Sequence, residues 1–168
     1  MFHQAKNNFL EEKYFKQIKD FFFGEKCLWS YRPHQTNNDD GFFAHDIFLN
    51  FQSVSTSFNL LEPLLKKLGI KQEDIIQIRA NLLVSKPEHK YSEFHIDCKT
   101  NEDFTTAIFY LNTCNGSTIF EKDNTEIKSE ENKLLVFDGN LKHKAKSQTD
   151  THRRIVINFN MNKHRSLV

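Results

Sequence analysis

Short runs of β-branched and aromatic residues dominate the chain from Asp74 onward, and they constrain its fold more than any other feature. Five runs share this character: Ile75 to Val84, Phe104 to Leu111, Ser117 to Glu121, Lys133 to Phe137 and Arg154 to Asn160. The turn signals Asn115-Gly116, Asp123-Asn124 and Asp138-Gly139 lie between them. Short strands separated by turns, after two helices, are typical of a jelly-roll β-barrel buttressed on one side.

The two helices are predicted from apolar periodicity and terminal residues. The first ends near Gly24, and its apolar residues at helical spacing are Leu10, Tyr14, Ile18 and Phe21 or Phe22. We expect this apolar stripe to cover the sheet. The second helix runs from about Glu62 to Leu68, with Pro63 in its first turn and Gly69 as its C-terminal stop.

The segment between the helices contributes a strand, a loop and an aromatic-rich stretch. Cys27 to Arg32 could form the first strand, Pro33 to Gly41 is a polar loop, and Phe42 to Phe51 is rich in aromatic residues. The fold class expected is α+β and mainly β. The 168 residues fit a single domain. Within it, residues 1–73 form a helical and aromatic-rich support and residues 74–162 form the β-barrel core.

The net charge and the cysteine content limit the classes of function that this protein can have. Lys plus Arg number 23 against 22 for Asp plus Glu, so the net charge of +1 creates no overall field for nucleic acid or an anionic membrane. Cys27, Cys98 and Cys114 are widely spaced and lack a CxxC pair, which indicates a reducing compartment. No signal-peptide or membrane-spanning run is visible, so we expect a soluble cytoplasmic protein; its oligomeric state is not determined by the sequence.

The triplet His95-Ile96-Asp97 is the centre of the functional interpretation. If residues 94–98 form a strand, alternation places His95 and Asp97 on one face. His143, between two later strands, is the candidate for a third ligand. Two histidines and one carboxylate on one face, with other positions open, are the arrangement expected for non-haem Fe(II) oxygenases. The chain has 8 histidines, so the triplet alone is a weak signal.

The other histidines and the lysines near His143 have simpler interpretations. We expect loop or surface positions for His34, His45, His89, His152 and His164. Of these, His45 could lie near the pocket mouth. Lys142, Lys144 and Lys146 alternate along one segment and are interpreted as a solvated strand edge rather than a nucleic-acid patch.

A pair of arginines opens the last strand, and only one of them can face inward. If Arg153 points inward, the side chains that follow on its face are bulky and apolar; if Arg154 does, Val156 and Asn158 follow and leave room for a polar group. This alternation favours Arg154 as the arginine that faces inward. A buried cation beside a metal needs an anionic partner, which a dicarboxylate cosubstrate chelating the metal would provide.

An ordered series of motifs between residues 75 and 160 resembles the 2-oxoglutarate/Fe(II)-dependent dioxygenases. Within this family it is similar to the prolyl-hydroxylase-like group, especially the short versions carried by bacteriophages. The stretches concerned are His95-Ile96-Asp97, Thr105 to Asn112, Gly116 to Phe120, Phe137 to His143 and Arg153 to Phe159. The resemblance implies a double-stranded β-helix, in agreement with the strand count.

The resemblance also implies roles for individual residues. It makes His95, Asp97 and His143 the iron ligands, and it makes Arg154 and Tyr110 the partners of the distal 2-oxoglutarate carboxylate. Thr106 and Ile108 share the face of Tyr110 and should line the cosubstrate pocket, with Asn81 as a weaker candidate. Leu83 stands about where relatives often have a second tyrosine, and Tyr91 could replace that group.

The implied reaction consumes 2-oxoglutarate and O2, releases succinate and CO2, and hydroxylates an unactivated C–H bond, with ascorbate as a possible reductant. Family likeness favours a peptidyl or free amino acid such as proline as substrate, and other small molecules stay open. The nucleic-acid-dealkylating branch is disfavoured, because a second arginine is missing along the last strand. A cupin-like module that binds metal without oxygenase activity is the alternative function.

Overall fold

The computed structural model describes residues 3–33, 41–98 and 103–162. The helices are α1 (Glu12–Phe23) and α2 (Glu62–Leu68), with 3-10 turns at Thr56–Leu61 and Gln72–Asp74. The strands are β1 (His3–Lys6), β2 (Ser30–Arg32), β3 (Phe42–Leu49), β4 (Gln52–Ser53), β5 (Ile75–Val84), β6 (Phe104–Tyr110), β7 (Ser117–Phe120), β8 (Glu126–Lys128), β9 (Lys133–Asp138), β10 (His143–Lys146) and β11 (Arg153–Asn162). Most of the predicted loop at 33–41, together with His34 and His164, lies outside the described residues.

The strands form two antiparallel sheets. The larger has the order β1-β9-β6-β11-β5-β3-β2, with β4 attached to β3, and the smaller has the order β10-β7-β8. Two isolated bridges, Tyr91 to Lys146 and His95 to His143, bring residues 91–95 alongside β10 on the side away from β7. A small apolar cluster contains residues of both sheets, which shows that the sheets pack face to face: Ile108, Tyr110, Phe120, Leu135, Phe137 and Val156.

The main hydrophobic core lies between the larger sheet and the two helices. Helix α1 contributes Phe15, Ile18 and Phe22, and Phe15 makes an edge-to-face contact with Phe109 of β6 at 6.0 Å between ring centroids. The prediction that α1 covers the sheet is therefore correct. The register differs in detail, because Phe15 rather than Tyr14 takes the buried position.

Helix α2 and the five predicted β runs occur where the sequence predicts them. Helix α2 ends at Gly69, whose φ of 67° is the left-handed conformation that favours glycine. The first predicted strand is shorter than expected and spans Ser30–Arg32. Strands β1, β4 and β8 were not predicted, since they are short, polar and largely exposed. Backbone pairing holds β1 against β9, β4 against β3 and β8 against β7.

Candidate metal centre and anion pocket

His95, Asp97 and His143 converge on one point. Their ligand atoms all lie within 4.8 Å of one another, so together they could hold a metal ion. Asp97 Oδ1 is 3.6 Å from His95 Nε2 and 3.7 Å from His143 Nε2. Reciprocal backbone hydrogen bonds of 3.0 Å between His95 and His143 fix the two histidines side by side.

The convergence does not arise from a strand at residues 94–98, and that prediction is wrong. His95 belongs to an isolated bridge with His143, and Asp97 lies in a bend. The bend turns the Asp97 side chain inward, where only 3% of it is exposed. Pairing with β10 and the bend, rather than strand alternation, bring the two side chains together.

The tautomers of both histidines follow from their backbone contacts. Nδ1 of His95 lies 2.9 Å from the Glu93 carbonyl oxygen, and Nδ1 of His143 lies 3.1 Å from the Leu141 carbonyl oxygen. Because a carbonyl only accepts, each Nδ1 carries the proton in the neutral ring and each Nε2 presents a lone pair. Both lone pairs face Asp97 Oδ1, a buried oxygen with no hydrogen-bond partner among the described residues. Three electron donors facing one another fit a cation between them.

The protonation states also suit a metal. Burial lowers the pKa of the His143 imidazole, and neighbouring His95 acts in the same direction against the opposing effect of Asp97. Burial raises the pKa of Asp97, but the two imidazoles and Arg79 outweigh it and hold the pKa of this carboxyl below its ordinary value. A neutral imidazole and an ionised carboxylate are the forms that bind metals.

Asn158 of β11 anchors the acidic member of the set. Its Nδ2 donates a hydrogen bond of 3.3 Å to Asp97 Oδ2, the oxygen that does not face the histidines. Sequence reasoning placed Asn158 on the pocket face of the last strand but missed this contact. Only the alternation of β11 could have indicated it, because residues 97 and 158 are distant in the chain.

Arg154 is a buried cation at the floor of the same pocket. It is 2% exposed, and among the described residues its Nε has no hydrogen-bond partner and its guanidinium has no carboxylate partner. Burial lowers the pKa of Arg154, while Tyr110 and Cys114 oppose that effect. A Cβ at Gly116 would lie 2.9 Å from Arg154 Cδ, so glycine at this position leaves room for the arginine side chain. Arg153 instead lies at the surface, with its guanidinium 4.7 Å from the centroid of the Phe23 ring.

Tyr110 and Thr106 are buried, and neither borders the pocket within the described residues. The Tyr110 hydroxyl donates to Thr118 Oγ1 at 2.9 Å, and Thr118 lines the pocket near the Arg154 guanidinium, whose Nη2 is 3.5 Å away. Burial raises the pKa of Tyr110. Thr106 lies further along β6 and donates to Asn160 Oδ1 at 2.9 Å, so the structure does not support its predicted place in the pocket lining.

The pocket brings the remaining predicted residues together. Its lining includes His95, His143, Arg154, Ile108 and Asn81, and also Leu83, Val156, Asn158 and Tyr91. The rest of its lining consists of Thr118, Gly41, Phe42, Val84, Lys86, Lys90, Ser92, Lys144, Ala145 and Ser147. Sequence reasoning missed Thr118 and the lysines.

The other described histidines lie outside this lining. His45 is held by Ser55 Oγ, Ser57 Oγ and the Leu28 carbonyl oxygen at 2.8–3.0 Å, away from the expected pocket mouth. His89 Nδ1 contacts the Ser147 carbonyl oxygen at 2.7 Å, and His152 is exposed.

Comparison with known proteins identifies the architecture. No protein-family model and no curated protein matches the sequence. Among solved structures, an oxidoreductase of the 2OG-Fe(II) oxygenase family from Burkholderia pseudomallei matches with a TM-score of 0.73 and 12% identity, over 96% of this chain and 85% of that one. The viral collagen prolyl hydroxylase of Paramecium Bursaria Chlorella virus-1 matches with a TM-score of 0.65 and 15% identity, over 97% of both chains.

A third match is a prolyl hydroxylase from Trichoplax adhaerens in complex with a peptide fragment, with a TM-score of 0.65 and 14% identity, over 95% of this chain and 83% of that one. The fold is a double-stranded β-helix. The predicted fold class is thus confirmed. Within the described part of the chain, neither helix is long and apolar enough to cross a membrane.

Proposed function

We propose that this protein is an Fe(II)- and 2-oxoglutarate-dependent dioxygenase that hydroxylates an unactivated C–H bond. The observation that carries the proposal is the presence of two complementary features in one pocket. His95 and His143 belong to a set that could hold a metal ion, and Arg154 offers a buried guanidinium without a carboxylate partner among the described residues. A cosubstrate that binds metal at one end and carries a carboxylate at the other satisfies both features.

The chain's own residues would divide the work as follows. Nε2 of His95, Nε2 of His143 and Oδ1 of Asp97 would hold the iron and leave further positions open. Asn158 would orient the Asp97 carboxylate through its other oxygen. When bound, iron would supply the redox chemistry that couples decarboxylation of 2-oxoglutarate to succinate and CO2 with hydroxylation by O2.

Arg154 would bind the distal carboxylate of 2-oxoglutarate, with Thr118 as a second polar group. Tyr110 would act through the Thr118 hydroxyl to which it donates. The apolar side chains of Ile108 and Val156 line the pocket and would exclude water from the cosubstrate. The protein therefore contributes position and a dry site, and the reaction needs no general base.

For the substrate we propose a peptidyl or free amino acid such as proline. The prolyl hydroxylases among the matching structures support this class, and one of them is in complex with a peptide fragment. We further propose that residues 1–168 form one oxygenase domain. The free thiols of Cys27, Cys98 and Cys114 suit a cytoplasmic location, which is the host cytoplasm if a phage encodes the protein.

The test is succinate formation by the purified protein incubated with Fe(II), ascorbate and 2-oxoglutarate in air. The proposal expects uncoupled succinate formation that stops in the variant His143→Ala, and a mass gain of 16 in members of amino acid and peptide pools. A cupin-like module without oxygenase activity would bind metal but would neither bind 2-oxoglutarate nor form succinate. That result would refute the proposal.

A further inference from the structure

The mouth of the pocket is basic. Lys86, Lys90 and Lys144 line it, above the buried Arg154, and no Asp or Glu is among the described residues of the lining. We call these three lysines the basic rim. Asp97 lies beside the pocket, and in the proposed function its charge is committed to iron. A pocket whose described lining carries several lysines and neither Asp nor Glu attracts anions, because its walls focus the field of those charges.

Lys144 of β10 differs from the neighbouring lysines, Lys142 and Lys146, in whether its charge is paired. Lys142 Nζ lies 3.7 Å from a carboxylate oxygen of Glu121, and Lys146 Nζ lies 3.1 Å from one of Glu126. Among the described residues, Lys144 has no carboxylate partner. The expectation that all three lysines form a solvated strand edge is therefore wrong for Lys144, which lines the pocket.

Two aromatic rings hold Lys144 in place. Its Nζ lies 4.4 Å from the centroid of the Phe94 ring and 5.1 Å from that of the Tyr91 ring. Such contacts attract the ammonium group without neutralising it, so its positive charge stays available to a ligand. Lys144 is half-buried, and the rings restrict the freedom that binding would otherwise remove.

Lys90 is fixed through its backbone on the same side of the pocket. Its N–H donates to Ser147 Oγ at 2.7 Å, and its carbonyl oxygen accepts from the Ser147 N–H at 2.8 Å. Within the described part of the chain, its ammonium group makes no ion pair. Two ammonium groups, those of Lys90 and Lys144, therefore border one opening, and neither has a carboxylate partner among the residues that the structure describes.

Apolar surface lies next to these charges. Tyr91 is 50% exposed and Val84 is 48% exposed, and both line the pocket together with Leu83. Exposed apolar side chains beside cations suit a ligand with an aliphatic or aromatic part next to an anionic group. The mouth thus differs in character from the enclosed floor at Arg154.

We propose that Lys90 and Lys144 bind an anionic group of the substrate, a carboxylate or a phosphate, whose attached hydrocarbon part packs on Tyr91 and reaches toward the iron ligands. Lysine ammonium groups recognise such oxygens as point charges. This substrate class rests on the proposed function, because the substrate must reach the iron. Anion binding itself depends only on Lys90 and Lys144.

The test is an NMR titration of the intact protein with its lysines reductively methylated with ¹³C, a modification that retains their charge. The probes are inorganic phosphate and N-acetylglutamate, added at constant ionic strength with excess 2-oxoglutarate present to occupy Arg154. Single Lys→Arg variants assign the signals. We expect saturable shifts at Lys90 and Lys144, with a dissociation constant of about 1–10 mM for at least one probe.

The paired Lys146 provides the matched control. Lys144→Ala should weaken probe binding at least about fivefold. Lys146→Ala should change it less than about twofold, because Lys146 lies outside the pocket lining and its charge is paired with Glu126. The probe that binds more tightly identifies carboxylate or phosphate as the substrate group. Linear shifts of equal size at all lysines, or unchanged binding in Lys144→Ala, would overturn the proposal.

The outcome is separable from that of the proposed function. If the lysine shifts do not saturate in a protein that forms succinate, the proposal of an anionic substrate is refuted and the proposed oxygenase function stands. If the shifts saturate in a protein that neither binds 2-oxoglutarate nor forms succinate, the proposed oxygenase function is refuted and the anion site stands. In steady-state kinetics with a substrate that the enzyme converts, Lys144→Ala should raise KM about tenfold and change kcat less than about twofold.

Discussion

Replacing Arg154 by methionine should separate the role of this residue in cosubstrate binding from its effect on stability. Methionine matches the aliphatic part of the arginine side chain and carries no charge. In the ligand-free protein the Arg154 guanidinium is buried without a carboxylate partner among the described residues, which is unfavourable. We therefore expect Arg154→Met to unfold at an equal or higher temperature, with a gain of up to about 1–3 kcal/mol in the free energy of unfolding.

The same change should strongly weaken 2-oxoglutarate binding. Removing one partner of a buried charge pair costs about 2–5 kcal/mol, so the dissociation constant should rise roughly thirtyfold or more. Isothermal titration calorimetry with 2-oxoglutarate measures it, and thermal unfolding of the ligand-free protein measures stability. Iron affinity should not change, since the guanidinium does not belong to the metal-binding set.

Arg153→Ala is the matched control for this experiment. Arg153 is adjacent in sequence but exposed, and its guanidinium lies over the Phe23 ring. Its loss should change the 2-oxoglutarate dissociation constant less than about threefold. The reverse order of effects would move the carboxylate partner to Arg153. A large loss of stability in ligand-free Arg154→Met would mean that the guanidinium has a structural role, and the reasoning above would be refuted.

Four further substitutions test the rest of the site. Asp97→Ala and His143→Ala should each abolish iron binding and succinate formation while circular dichroism shows an intact β core, and full iron affinity in both would refute the ligand assignment. Tyr110→Phe should weaken 2-oxoglutarate binding by about 1–3 kcal/mol in calorimetry without affecting iron, and an unaltered affinity would place the hydroxyl outside the binding network. Asn158→Leu should lower iron affinity about tenfold in a chelator competition, because Asp97 loses its hydrogen bond, whereas unchanged affinity would make that contact incidental.

Local patterns explain why much of the fold is predictable from the sequence. Strand β5 runs from Ile75 to Val84, as predicted, and α2 runs from Glu62 to Leu68 because proline and glycine mark its ends. The inward direction of Arg154 also follows from local alternation, since Ile155 and Phe159 must reach the main core on the opposite face of β11.

The unpredicted features depend on contacts between distant residues. Strand β1 has a polar sequence and exists because its backbone pairs with β9, from His3 opposite Phe137 to Lys6 opposite Leu134. The bend at Asp97 gives no periodic signal. Lys142 and Lys146 form ion pairs, whereas Lys144 forms none among the described residues. This difference depends on which carboxylates β7 and β8 bring close, and the spacing of the lysines in the sequence carries no information about it.

Strand β11 explains how a site built partly from irregular backbone can be rigid. It lies between β5 and β6 in the larger sheet, and its pocket face carries both Arg154 and Asn158. Asn158 connects the bend residue Asp97 to this central strand, and two backbone hydrogen bonds connect His95 to His143 on β10. The metal-binding set and Arg154 are therefore both positioned by contacts with the same central strand, β11. Since 2-oxoglutarate would have to reach both at once, the fixed spacing along β11 would favour a dicarboxylate of that length over shorter ones.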